Sequence, residues 1–141
     1  MKKILEEIVA TFRNEENGWN FPDYAWNFNG KTKACSAYMA IEVEGEIGQE
    51  MEADKKHPNF KNVWPTAFRG EVTIPETIPA NVDGNENMLR PVDMGPFKIA
   101  RKFLFIMKKL PGAKVIKWNT SVTPLLVEFV GGSAVFMPVL K

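Results

Sequence analysis

The stretch that organises this chain reads PFKIARKFLFIMKKL from Pro96 to Leu110. Its apolar residues recur at spacings of three and four, which predicts an amphipathic helix over residues 96–110 with one buried face. Pro111-Gly112 follows directly and is a usual pair of helix stop signals. The apolar face consists of Ile99, Phe103, Ile106, Met107 and Leu110.

Three strand-like runs follow this helix. They are Lys114–Asn119, Leu125–Val130 and Ser133–Val139, each rich in apolar or β-branched residues. Gly131-Gly132 separates the last two runs, and a two-residue link of this kind predicts a tight hairpin. We therefore expect a helix, a strand and a hairpin in that order, with the three strands covering the apolar face of the helix.

The other face of the predicted helix is basic. No carboxylate lies among its cations, whereas an exposed helix face normally carries charges of both signs. The pattern fits either an ordinary solvated surface or a helix that faces phosphate groups. The five cations are Lys98, Arg101, Lys102, Lys108 and Lys109.

The N-terminal part has the same order of a helix followed by strands. Residues 2–13 predict a short amphipathic helix whose outer surface is mixed in charge. Residues 24–29 and 34–44 predict two strands of a hairpin, because Asn29-Gly30 lies between them and is a strong turn signal. Simple spacing gives no internal repeat beyond this common order.

The middle of the chain carries weaker signals. Residues 71–74 predict one short strand, and residues 77–96 show little periodicity, which is typical of a long loop or of strands too short to detect. The predicted fold class is α+β, a single domain over residues 1–141 with two helices packed on antiparallel sheets.

Composition limits the classes of function. The chain has 141 residues, of which 45% are hydrophobic and 25% are charged, as in an ordinary globular domain. A formal net charge of +1 gives no overall attraction to nucleic acid, so such binding would need local segregation of charge. A single cysteine, a charged N-terminus and the lack of a long apolar run predict a cytoplasmic protein with no membrane span.

No catalytic or metal-binding residue can be nominated. Carboxylates alternate from Glu42 to Asp54, which is typical of the wet face of a strand, and no calcium-loop spacing or neutral nitrogen accompanies them. Cys35 and His57 lack the neighbours that nucleophilic or acid–base catalysis needs. We therefore expect a protein that is not an enzyme and binds no cofactor.

Two landmarks give the chain a resemblance to a known family. The segment DKKHPNFKNVWP, residues 54–65, resembles a motif of bacterial sliding clamps, the beta subunit of DNA polymerase III. The ending AVFMPVLK, residues 134–141, is similar to the apolar strand, Met-Pro and short tail that close the clamp sequence. Residues 96–110 and the Pro-led run 123–127 resemble the elements between them. The acidic-glycine signature of the clamps is absent, and residues 34–38 stand in its place.

The resemblance implies a DNA-associated function. Clamp domains pair two helices with antiparallel sheets, and six such domains form a ring whose helices face duplex DNA. Basic residues on those helices meet phosphates without reading sequence, which agrees with the basic face described above. A clamp chain has three domains, so a ring of this shorter chain would need a homo-oligomer of about six copies.

Clamps also bind short peptides of replication and repair proteins in an apolar pocket beside the C-terminal Met-Pro segment. The corresponding positions are Val135, Met137, Pro138, Val139 and Leu140. An alternative is that Val135 and Met137 only complete a sheet. The first functional hypothesis is a clamp-like factor on duplex DNA, and the second is a protein-interaction module that keeps the fold without binding DNA. A small-molecule enzyme ranks third.

Overall fold

The computed structural model describes residues 1–11, 24–36, 38–53, 60, 63–78 and 91–139. Within these ranges the protein is a small α+β structure, mostly antiparallel sheet with two short helices. The helices are α1 (Lys2–Thr11) and α2 (Arg101–Lys109). The strands are β1 (Trp26–Phe28), β2 (Lys31–Cys35), β3 (Met39–Glu44), β4 (Gly70–Thr73), β5 (Pro91–Asp93), β6 (Lys98–Ala100), β7 (Val115–Trp118), β8 (Leu125–Phe129) and β9 (Gly132–Phe136).

Seven strands form one sheet in the order β1-β2-β3-β9-β8-β7-β4, and neighbouring named strands run antiparallel. Strands β5 and β6 form a separate hairpin that leads directly into α2. Beside β1, Gln49 makes a parallel bridge with Trp26. Among the described residues, β4 is thus the strand at one edge of the sheet, while the chain near Gln49 borders the other edge.

The main core lies between the sheet and the two helices. Side chains alternate along a strand, so every second residue of β3, β8 and β9 points to the helices. Phe136 of β9 packs against Phe103 of α2, with ring centroids 5.5 Å apart. Complete burial of one such side chain contributes roughly 1.5–3 kcal/mol. Other fully or almost fully buried members include Leu5, Ile41, Ile106, Met107, Ile116, Leu125 and Val127.

The opposite face of the sheet, which we call the outer face, is crossed by Phe60 and residues 63–68. Phe60 packs with Trp26, Cys35 and Ala40 in a second buried cluster. Trp64 stacks on Phe60 at 4.9 Å between ring centroids, and its indole Nε1 donates a hydrogen bond to Ser133 Oγ at 3.0 Å. This crossing carries the chain from the β1 side of the sheet to β4 at the far edge.

The sheet has an internal pseudo-twofold axis between β3 and β9. Ala34 pairs with Ile41 in β2–β3, and Val127 pairs with Ala134 in β8–β9. Each residue of the second pair lies 93 positions after its counterpart in the first pair. Ile41 is also paired with Ala134 across the axis. A shift of 93 residues therefore superimposes the register of one hairpin on that of the other.

Hydrogen bonds outside the ladders obey the same symmetry. Glu44 N donates to Gly131 O at 2.8 Å, and Met137 N donates to Tyr38 O at 2.8 Å. Glu44 is the last residue of β3, Met137 directly follows β9, and each acceptor lies in the turn of the opposite hairpin. The hairpins β2–β3 and β8–β9 are thus related by this axis where β3 meets β9, and we refer to each hairpin with the helix and strand that precede it, α1-β1 or α2-β7, as a unit.

Several predictions for the C-terminal part are confirmed, and two boundaries are wrong. The runs 114–119, 125–130 and 133–139 contain β7, β8 and β9. The helix begins at Arg101, whereas Lys98–Ala100 is strand β6. The cause is a local period of two, since Phe97 and Ile99 are buried on either side of exposed Lys98. The predicted turn at Gly131-Gly132 is also displaced, because Gly132 pairs with Phe129 and leaves Val130 and Gly131 as the loop.

The N-terminal predictions are confirmed in type but not in every boundary. Helix α1 and the hairpin at Asn29-Gly30 form as expected, and the strand predicted at 71–74 is β4. Residues 34–44, predicted as one strand, belong to β2 and β3, with a reversal in which Ser36 N donates to Met39 O at 2.8 Å. No Gly, Pro or Asn occurs at this reversal to indicate a turn. Phe12 and Arg13 lie outside the described residues.

Candidate functional site

Positive charge is concentrated in one part of the chain. Residues 94–127 contain seven cations and no carboxylate, whereas the remaining residues contain 11 cations and 17 carboxylates. The first part therefore carries a charge of +7 and the second −6, which add to the net +1. Helix α2 lies in the basic part, so local segregation of charge of the kind needed for an anionic partner is present.

The five cations predicted to share a helix face do not all occupy it. Lys108 and Lys109 are exposed and Lys102 is half-buried on α2. Arg101 is only 8% exposed, and its guanidinium carbon lies 4.9 Å from the centre of the Phe105 ring. Lys98 is exposed but belongs to β6. Two of the five predicted positions, Lys98 and Arg101, are thus corrected: the first is not helical and the second is packed into the protein.

Helix α1 adds two cations to the helix side of the molecule. It contacts α2, and both helices pack on the same face of the sheet. Lys2 and Lys3 are exposed in its first turn, together with exposed Glu6 one turn later. Sequence reasoning treated α1 as ordinary surface, because the contact between the two helices is tertiary and leaves no local signal.

We define the basic surface as the exposed or half-buried lysines of the two helices, which are Lys2, Lys3, Lys102, Lys108 and Lys109. Lys108 Nζ donates a hydrogen bond to the carbonyl oxygen of Glu76. This contact uses one of the three ammonium donors and holds the charge near the C-terminus of α2, where cations are favoured by the helix dipole.

The outer face has a different electrostatic character. Lys31 Nζ lies 2.6 Å from Glu42 Oε1, and Lys33 Nζ lies 3.8 Å from Glu42 Oε2. Lys117 pairs with Glu128 across β7 and β8. The hydrogen bonds to Glu42 and Glu128 raise the pKa of Lys31 and the pKa of Lys117 above the ordinary lysine value. Cross-strand pairing therefore balances positive charge on the outer face.

The predicted partner-binding positions divide into buried and accessible ones. Val135 is 2% exposed in β9, so it is a structural residue and cannot offer a free docking surface. Pro138 is also buried, whereas Met137 and Val139 are half-buried. Leu140 lies outside the described residues. In the alternative, Val135 and Met137 only complete a sheet; Val135 does lie within β9, whereas Met137 directly follows it.

A shallow groove adjoins the C-terminal segment. Val139 N donates to Lys98 O at 2.8 Å, which fixes the segment beside the β5–β6 hairpin. The groove has a volume of about 170 Å³, and Phe97, Val122 and Val139 provide its apolar walls. Val122 is 53% exposed, and Lys98 and Asp93 supply charges of opposite sign at the same groove. A small apolar side chain with a polar neighbour fits these surroundings.

The described residues offer little for other chemistry. Cys35 is 4% exposed, and a buried thiol in apolar surroundings is a poor nucleophile. In the described ranges no three His, Cys, Asp or Glu side chains meet in a metal-binding arrangement. Neither α1 nor α2, the helices of the described part, has the length and apolar character that crossing a membrane requires. Comparison with protein-family models, curated proteins and solved structures finds no match.

Proposed function

We propose that this protein is a non-enzymatic, clamp-like DNA-associated factor that contacts duplex phosphates through its basic surface. The segregation of charge is the observation that carries the proposal. Five lysines, Lys2 and Lys3 of α1 and Lys102, Lys108 and Lys109 of α2, belong to the helices on one face of the sheet in a chain that is almost neutral overall. Binding of this kind is independent of sequence, since lysines that meet phosphates carry no information about the bases.

The likeness to sliding clamps adds support. Two helices pack on one face of a mostly antiparallel sheet, as the resemblance leads one to expect, and the basic surface belongs to those helices. A clamp acts by enclosing DNA, so the proposal includes a homo-oligomer of about six copies that forms a ring. A native mass near six times 16.0 kDa, measured by light scattering, is expected, and a monomer at every concentration would rule out a ring formed by this chain alone. A cytoplasmic location suits such a role.

Duplex binding has a measurable electrostatic signature. Each phosphate neutralised by a lysine releases condensed counterions, so the logarithm of the association constant falls with the logarithm of salt concentration with a slope of about −0.9 per contact. If all five lysines of the basic surface of one protomer meet phosphates, the expected slope is about −4.5 per protomer, and the slopes below are given per protomer.

The test compares two double variants by fluorescence anisotropy on a labelled 30-base-pair duplex. Lys102→Gln with Lys109→Gln should weaken binding at low salt and bring the slope to about −2.7, because two contacts are lost. Lys31→Gln with Lys117→Gln removes the same charge from the outer face and should leave the slope unchanged. A parent protein that does not bind the duplex, or equal losses in both variants, would reject the DNA role.

The groove beside Val139 favours a second candidate, a protein-interaction module for short apolar peptides of replication or repair proteins. A groove with aliphatic and aromatic walls is suited to peptide capture. Parent protein should enrich apolar sequences from a displayed peptide library, and Val122→Asp should abolish the enrichment. Val130→Asp is the matched control, because Val130 is 72% exposed in the β8–β9 turn. Equal enrichment by the parent and Val122→Asp would exclude this groove.

A further inference from the structure

We propose that α1 and α2 contact opposite strands of one DNA duplex, with the pseudo-twofold axis of the protein aligned on a dyad of the DNA backbone. This inference rests on the proposed function and adds its geometry. It assigns the lysines of α1 to one strand and those of α2 to the other. It also makes Lys2 and Lys3 DNA contacts, although they lie nearly a hundred residues from the basic segment.

The direction of the axis follows from the strand register. Ile41 and Ala134 are paired across β3 and β9, both are buried on the helix side, and a shift of 93 residues exchanges them. An axis that exchanges two antiparallel strands and keeps their side chains on the same face is perpendicular to the sheet. The axis therefore emerges through the helix layer, with α1 against β2 and β3 on one side and α2 against β9 on the other.

Such an axis reverses the direction of any element that lies along the sheet. Each helix precedes three strands that end in one of the related hairpins, and the two helices contact each other, so we expect them to run antiparallel on either side of the axis. The cations are distributed on both sides, with Lys2 and Lys3 on α1 and Lys102, Lys108 and Lys109 on α2.

The sugar–phosphate backbone of a duplex has the same symmetry. Its two strands run antiparallel, and dyads perpendicular to the duplex axis exchange them. Proteins with twofold symmetry align their axis with such a dyad and thereby place equivalent elements on the two strands. With that alignment, one helix of this protein lies beside each strand, and no contact to a base is required.

A duplex with one uncharged strand separates this arrangement from contacts to a single strand. Methylphosphonate linkages remove the negative charge of one backbone and leave base pairing in place. On a fully charged duplex the parent should show a slope of about −4.5, and Lys2→Gln with Lys3→Gln should show about −2.7. On the half-charged duplex the parent should fall to about −2.7, since only the three lysines of α2 meet charged phosphates, and the α1 variant should have the same slope.

The outcomes are distinguishable. A parent slope near −4.5 on the half-charged duplex would mean that both helices contact one strand, which overturns the inference and leaves the DNA role intact. An α1 variant identical to the parent on the fully charged duplex would also overturn it, because Lys2 and Lys3 would then make no phosphate contact. Absence of parent binding to the fully charged duplex would overturn the proposed function itself. Circular dichroism of each variant verifies that the fold is retained.

Discussion

Replacement of Gly132 by alanine tests the junction between the two related units. Gly132 begins β9 and pairs with Val43 of β3. A Cβ atom at this position would lie 2.1 Å from the carbonyl oxygen of Glu42, which is a backbone atom and cannot rotate away. Real Cβ contacts do not fall below 3.0 Å, so β3 and β9 would have to separate by about 0.9 Å at this point.

The energetic cost follows from that displacement. Hydrogen bonds of ordinary length would stretch beyond about 3.5 Å, where they contribute little. Loss of one or two backbone hydrogen bonds costs about 0.5–1.5 kcal/mol each, and overpacking adds roughly 1–3 kcal/mol. We therefore expect Gly132→Ala to lower the free energy of unfolding by about 2–5 kcal/mol. Urea unfolding followed by tryptophan fluorescence measures this change.

Gly70→Ala is the matched control in the edge strand β4. The nearest atom to its added Cβ is Nε1 of the Trp118 side chain at 3.2 Å. Because this atom belongs to a side chain and β4 is the edge strand, a shift of a few tenths of an ångström relieves the contact. We expect a change within about 1 kcal/mol, since alanine also restricts the unfolded chain. A free energy of unfolding for Gly132→Ala within about 0.5 kcal/mol of the parent would refute the reasoning about close strand approach.

Three further predictions concern stability. Thr32→Val should lower the free energy of unfolding by about 1–3 kcal/mol, because the buried Thr32 hydroxyl donates to the Gly45 carbonyl at 2.6 Å; Thr32→Ser should recover part of the loss in the same urea assay. Trp64→Phe and Ser133→Ala should each lower the free energy of unfolding. The double variant should lose less than the sum of the two single losses, because both substitutions remove the same hydrogen bond. The hydrogen bond to Glu42 raises the pKa of Lys31 in the folded protein, so charged Lys31 stabilises the fold at pH values below the ordinary lysine pKa of 10.5. This contribution is lost as the pH rises through the higher folded-state pKa. Lys31→Gln should therefore be less stable than the parent at pH 7 and equally stable at strongly alkaline pH.

Whether an element could be predicted from the sequence depended on how many residues its apolar pattern covers. Helix α2 and strand β8 were predicted because their apolar periodicity extends over several residues. Strands β5 and β6 were missed because three residues are too few for a period to appear. The twofold relation was also hidden, since it equates Cys35 with Glu128 and Ser36 with Phe129, pairs with no chemical likeness. Register, which only the folded backbone displays, carries that relation.

The candidate site was foreseen only as far as it is local. Lys102, Lys108 and Lys109 were found because they lie on one short helix. The burial of Arg101 depends on how α2 begins, and helix ends are the least certain part of a pattern. The contribution of Lys2 and Lys3 depends on a contact between helices far apart in sequence, for which a single sequence has no marker.

Under the proposed function, charge segregation and internal symmetry together would let a nearly neutral protein bind a polyanion on one side. Ionic interactions in water at physiological salt extend about 8 Å, so a phosphate responds to the nearest face and not to the net charge. Cross-strand pairs such as Lys31–Glu42 and Lys117–Glu128 neutralise positive charge on the outer face, while both helices contribute lysines to the opposite face. The fold produces this difference because the pseudo-twofold axis assigns α1 and α2 to the same side of the sheet. If the two units were joined through parallel strands, no such axis would exist. The lysines at residues 2–3 and 102–109 would then not be brought to one side of the sheet by symmetry, and contact with a single ligand would not be expected.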